Sequence, residues 1–145
     1  METQKSNFKI KLGIVLSFLS LISIVLIFEY CQVHGWTNVF KVVEFTLIAL
    51  LSISIYLSFI KTGLWQFTHK TLTKLDEREL TVINRSLRYG YAIFSVFVLS
   101  LLLLIALLNL EINIVIAISM ILFAHLIPAS IIGYSEKHIN YGERI

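Results

Sequence analysis

The sequence predicts an all-α integral membrane protein with four transmembrane helices, on three observations. The first is composition. Hydrophobic residues make up 57 % of the 145, charged residues only 14 %, and the mean hydropathy is +0.85; soluble domains average about 45–50 % and about 25 %. A soluble fold of this length lacks the polar surface to cover so much hydrocarbon, and a bilayer removes that need. The second is continuity. Four apolar runs, at about 12–28, 42–60, 89–108 and 112–134, hold 17 to 23 residues each. At 1.5 Å per residue they make about 25–35 Å of helix, which suits a hydrocarbon core of about 30 Å. The third is the absence of alternation. Ile and Val abound, yet the runs are unbroken, and an open sheet cannot satisfy its edges in lipid.

Lys5, Lys9 and Lys11 precede the first run. A basic head before an apolar stretch has the outline of a secretory signal. This stretch is long, however, and no small-x-small site follows it, so it reads as a retained first span. Ser17, Ser20 and Ser23 recur along it and offer a side where another helix can approach closely. Residues 29–41 form a short connection with Gly35 and Trp36. The second span contains Glu44 near its start and the small pair Ser54 and Ser58. The third has no charge between Arg88 and Glu111. Asn109-Leu110-Glu111 leaves room only for a tight turn, so spans three and four form an antiparallel hairpin.

Charge sets the expected orientation. With both termini and the polar connection 61–88 on one side, that side holds eleven of the twelve Lys and Arg residues, and the other holds only Lys41. Positive charge is retained in the cytoplasm. The expectation is therefore one four-helix transmembrane domain over residues 1–145 in the cytoplasmic membrane, with both termini cytoplasmic. Net charge is then +5 inside and −2 outside. The sequon Asn84-Arg85-Ser86 faces the wrong side for glycosylation, and Trp36 and Trp65 fall near opposite interfaces.

The polar connection carries most of the chemistry. Leu64, Trp65, Phe67, Leu72 and Leu75 alternate irregularly with Lys61, His69, Lys70 and Lys74, as expected of a second helix that leaves the bilayer and runs on along the headgroups. Asp76 with Glu79 three residues later has the form of a capping box, and Glu77 adds to the acids that favour a helix N-terminus. A turn near residues 73–76 and a new helix into span three make a cytoplasmic helical hairpin. On that helix Arg78 and Arg85 share a face with Tyr89, beside a stripe of Glu77, Asn84, Arg88 and Tyr91. Arginines at a cytoplasmic membrane entry meet anionic headgroups, the acids of a neighbouring copy, or a membrane protein partner. Arg78, Arg85 and Arg88 with Asp76, Glu77 and Glu79 are the candidate partner- or lipid-binding set.

The segment LDERELTVINRSLRYGY, through Leu75, Asp76, Glu77, Arg78, Glu79, Arg85 and Tyr91, resembles a family of small uncharacterised prokaryotic multi-pass membrane proteins with an LDERE-type motif ahead of a transmembrane helix. The resemblance covers under a fifth of the chain. It implies a prokaryotic membrane protein and no catalytic activity.

Other chemistry is sparse. A single cysteine, Cys31, excludes an internal disulfide and a CxxC redox pair, and the bulky residues before it make a poor lipid-attachment site. There is no phosphate-binding glycine loop, HExxH, GxSxG or pair of intramembrane acids, so the chain reads as non-enzymatic and without a cofactor. A net charge of +3 gives no ground for nucleic-acid binding. Glu29, Cys31, His34, Glu44, Asn109, Glu111 and Asn113 fall at the outer ends without metal-ligand spacing, so no metal is expected there. His125 stands near mid-span, one turn before Pro128. Ionisable groups inside a membrane are functional hypotheses by default, and against a proton path stands a neutral imidazole bonded to a neighbouring helix. Two functions follow. One is a subunit, regulator or immunity-type factor acting through residues 61–91. The other is a small oligomeric transporter or ion channel using His125.

Overall fold

The computed structural model describes residues 2–71, 75–109 and 111–135, with side chains from Phe8 onward. Part of the expected turn at 73–76, and the C-terminal segment with Glu136 and Glu143, lie outside them. The helices are α1 (Glu2–His34), α2 (Asn38–Ile55, followed by a π-helical turn Tyr56–Ile60), α3 (Leu64–Thr68), α4 (Glu77–Leu108) and α5 (Ile114–Ser135). No strand occurs among the described residues. Four segments are long and apolar enough to cross a membrane: Phe8–His34, Asn38–Ile60, Glu77–Leu108 and Ile114–Ser135. Contacts group into two compact units that meet in sequence at Gly63 and Leu64.

The first unit is the α1–α2 hairpin. Gly35 closes α1 in the left-handed region at φ 89°, where a side chain would be strained. The Thr37 hydroxyl then accepts from the Phe40 amide and starts α2. Buried positions on α1 step by three and four through Ile14, Ser17, Leu21 and Ile24, and Cys31 falls in the same register. Glu44, Leu51, Ser54 and Ser58 do the same on α2. This is the seam spacing of two helices packed side by side. At its tightest point the Ser54 hydroxyl donates to the Gly13 carbonyl at 2.7 Å, and Ser17 Oγ lies 3.0 Å from Ser54 Oγ. Ser17 and Ser20 are buried while Ser23 is half-buried. A strict three-residue step drifts off a seam whose mean step is 3.5.

The second unit pairs α4 with α5 and lays α3 on α5. Asn109 ends α4 in the left-handed region at φ 51°. Asn113 Oδ1 accepts from the amides of Val115 and Ile116, 3.0 Å each, and so starts α5. The two helices approach closely at Gly90, where an added Cβ would stand 3.1 Å from Pro128 Cγ. Higher up, Phe97 packs on Phe123 with ring centroids 4.4 Å apart. Ala129, four residues after His125, is fully buried in this packing.

Two elements differ from the sequence expectation, while α4 starts after Asp76 and runs into span three as expected. α1 runs past the apolar run 12–28, as far as His34. Helical hydrogen bonding does not stop where hydrocarbon stops, and Lys, Arg and Glu propagate a helix nearly as well as Leu. The second helix, by contrast, does not run on beyond the apolar segment. It ends in a π turn, Gly63 takes a left-handed φ of 75°, and α3 buries Leu64 and Phe67.

Candidate functional site: a basic face on α4

The start of α4 is locked before it presents anything. Asp76 is extended (φ −80°, ψ 168°) and its Oδ1 accepts from the Glu79 amide at 2.7 Å; the Glu79 carboxylate accepts in return from the Asp76 amide at 3.3 Å. Glu79 also lies 3.6 Å from Lys70 Nζ. Two of the six candidate binding residues, Asp76 and Glu79, are thus spent on folding. Glu77 remains exposed in the first turn, and its carbonyl accepts from the Thr81 hydroxyl at 2.8 Å.

Beyond the cap, Ile83, Ser86 and Gly90 form the buried side of α4. The opposite side therefore faces outward over the same turns. Thr81, Asn84, Arg85, Arg88, Tyr89 and Ala92 line an open groove of about 660 Å³ there. The two adjacent stripes read from sequence merge in it. Arg85 sits over the Tyr89 ring, its guanidinium carbon 5.7 Å from the centroid, a cation–π distance. Arg88 is exposed one turn along; Arg78 is exposed but outside the groove. None of the three arginines forms an ion pair among the described residues. Planar guanidiniums with five N–H donors each fit carboxylate or phosphate oxygens two at a time. Among the described residues its lining has no carboxylate, thiol or imidazole, and the two guanidiniums there can hold an anion.

The chain matches no family model, no curated protein and no solved structure.

His125 has a different setting from the one expected. Its Nδ1 lies 2.9 Å from the Ile121 carbonyl on its own helix, not from a group on a neighbour. The ring is exposed and faces two aromatic groups that sequence reasoning did not connect with it. The ring centroids of Trp65 and His69 are 6.2 Å and 6.3 Å away. Fifty-six residues separate His69 from His125 in sequence, so no local pattern could have paired them. Among the described residues no three His, Cys, Asp or Glu side chains come together as metal ligands.

Five of the seven polar residues expected at the outer ends are engaged within their own hairpins. Asn109 and Asn113 terminate helices, and His34 stacks on Tyr30 at 4.2 Å. Cys31 and Glu44 are buried on the α1–α2 seam. Glu44 was legible in sequence only as an acid near a span end; its burial at a seam position is a tertiary fact.

Proposed function

We propose that this chain is a small, non-enzymatic subunit or regulator of the cytoplasmic membrane, with both termini inside, which docks an acidic segment of a membrane partner on the α4 face formed by Asn84, Arg85, Arg88 and Tyr89. One observation carries the reading: Arg85 and Arg88 lie in one open groove, with no carboxylate among its described lining residues, just before α4 becomes wholly apolar. Arginines held on a rigid helix, with no ion pair among the described residues, are preorganised for a planar anion. The rest of α4 supports insertion. Val96, Leu99, Leu103 and Leu107 follow one face and are each more than 60 % exposed, an apolar stripe that lipid covers naturally.

Co-purification from native membranes tests it. The double variant Arg85→Gln/Arg88→Gln loses an interacting membrane protein that Arg78→Gln retains. Retention by the double variant overturns the reading. Loss of binding to vesicles of anionic lipid, with protein partners unchanged, assigns the face to headgroups instead. The alternative, an oligomeric transporter, draws on the exposure of His125, which a second copy would have to enclose. Reconstituted flux that survives His125→Ala removes that residue from any coupling role.

A further inference from the structure

We propose that His69 and His125 form a two-point site for a divalent transition metal ion of the zinc class. It lies between α5 and the residue that follows α3, away from the arginine groove.

Hydrogen bonding fixes the chemistry. His69 Nδ1 is 2.9 Å from the Trp65 carbonyl, and His125 Nδ1 is 2.9 Å from the Ile121 carbonyl. A carbonyl only accepts, so each Nδ1 carries the hydrogen, and in the neutral ring that leaves the lone pair on Nε2; the Thr68 hydroxyl also lies 3.1 Å from His69 Nδ1. A histidine that gives its other N–H to a backbone carbonyl is oriented as metal-binding histidines are. Both side chains are exposed, so neither lone pair is walled off.

The fold sets the spacing. Leu64 and Phe67 are buried where α3 packs on α5, which holds His69 beside His125. The rings are parallel to within 3°, with centroids 6.3 Å apart, and Trp65 stacks on His69 at 4.4 Å and braces it. With Zn–N at about 2.0–2.1 Å, tetrahedral coordination places two imidazole centroids about 5 Å apart. The observed separation of 6.3 Å is larger, so the two exposed side chains must reorient toward each other to share an ion. The nearest fixed cation in sequence, Lys70, is offset by Glu79 at 3.6 Å. Imidazole nitrogen suits zinc, copper and nickel. Two ligands leave coordination positions for water or a further donor. This departs from the sequence expectation of no metal, which had considered only the outer-end residues.

The test uses the full chain in detergent, stripped by chelator, with Cu²⁺ as the spectroscopic probe and Zn²⁺ for affinity. The expected result is one Cu²⁺ per chain whose electron paramagnetic resonance spectrum shows coupling to two imidazole nitrogens. His69→Gln or His125→Gln reduces this to one nitrogen and weakens Zn²⁺ binding at least about tenfold. His34→Gln leaves both readouts unchanged. A two-nitrogen spectrum that persists in His69→Gln, or Zn²⁺ affinity unaltered in the double variant, means an adventitious ion only and overturns the site. If His125→Gln fails to fold, His69→Gln decides alone, since His69 lies outside every helix.

Discussion

At the scale of the residue, Glu44 stands apart from every other acid in the described chain. It occupies a seam position between two apolar helices, 9 % exposed, and its Oε2 has no hydrogen-bond partner. Burying a polar group without a partner costs about 1–3 kcal/mol. Glu44→Leu is therefore expected to stabilise the chain by about that amount, read as a higher midpoint when the purified protein is unfolded with sodium dodecyl sulfate. A fall in the midpoint would show that the carboxyl has a partner after all. Gly13 is the opposite case, a residue whose lack of a side chain is used. A Cβ there would overlap the Ser58 hydroxyl, so glycine permits the close approach at which Ser54 reaches the Gly13 carbonyl.

At the scale of the element, α4 is one continuous helix with two chemically distinct parts. At 32 residues it is about 48 Å long, longer than a bilayer core of about 30 Å, so its first turns stand clear of hydrocarbon and carry the arginines. Those turns depend on the capping box. Asp76→Ala is expected to cost about 1 kcal/mol and to speed amide hydrogen exchange in the first turn of α4 while leaving the turns around Phe97 unchanged. Equal protection in both proteins would mean that the cap is redundant. Farther along, Gly90 touches Pro128 and Ile127. Gly90→Leu forces at least three further carbons against Pro128, and overpacking costs about 1–3 kcal/mol. The expected result is a lower unfolding midpoint than wild type, with Ala92→Leu, on the exposed side, near neutral.

At the scale of the whole molecule, orientation is the property that connects the arginine face with any partner. In a Cys31→Ser background, Thr81→Cys is expected to react with a membrane-impermeant maleimide only after cells are opened. Labelling of intact cells would invert the proposed topology. The sequence by itself determined the helical class, the existence of four long apolar segments, the capping box at Asp76 and the gathering of charge around it. These follow from local quantities: hydropathy summed over a turn or more, helix propensity, and a hydrogen bond spanning three residues. The tertiary structure alone decided that Glu44 is buried, that α3 folds onto α5, and that His69 meets His125. It also showed which side of α4 is left open for Arg85 and Arg88. Each of these depends on which helix faces the residue across the packing seam. In an apolar helix nearly every face looks alike, so hydropathy, which located the spans, is nearly silent about their partners. The polar stretch before α4 was therefore found by sequence, and its geometry was set by packing.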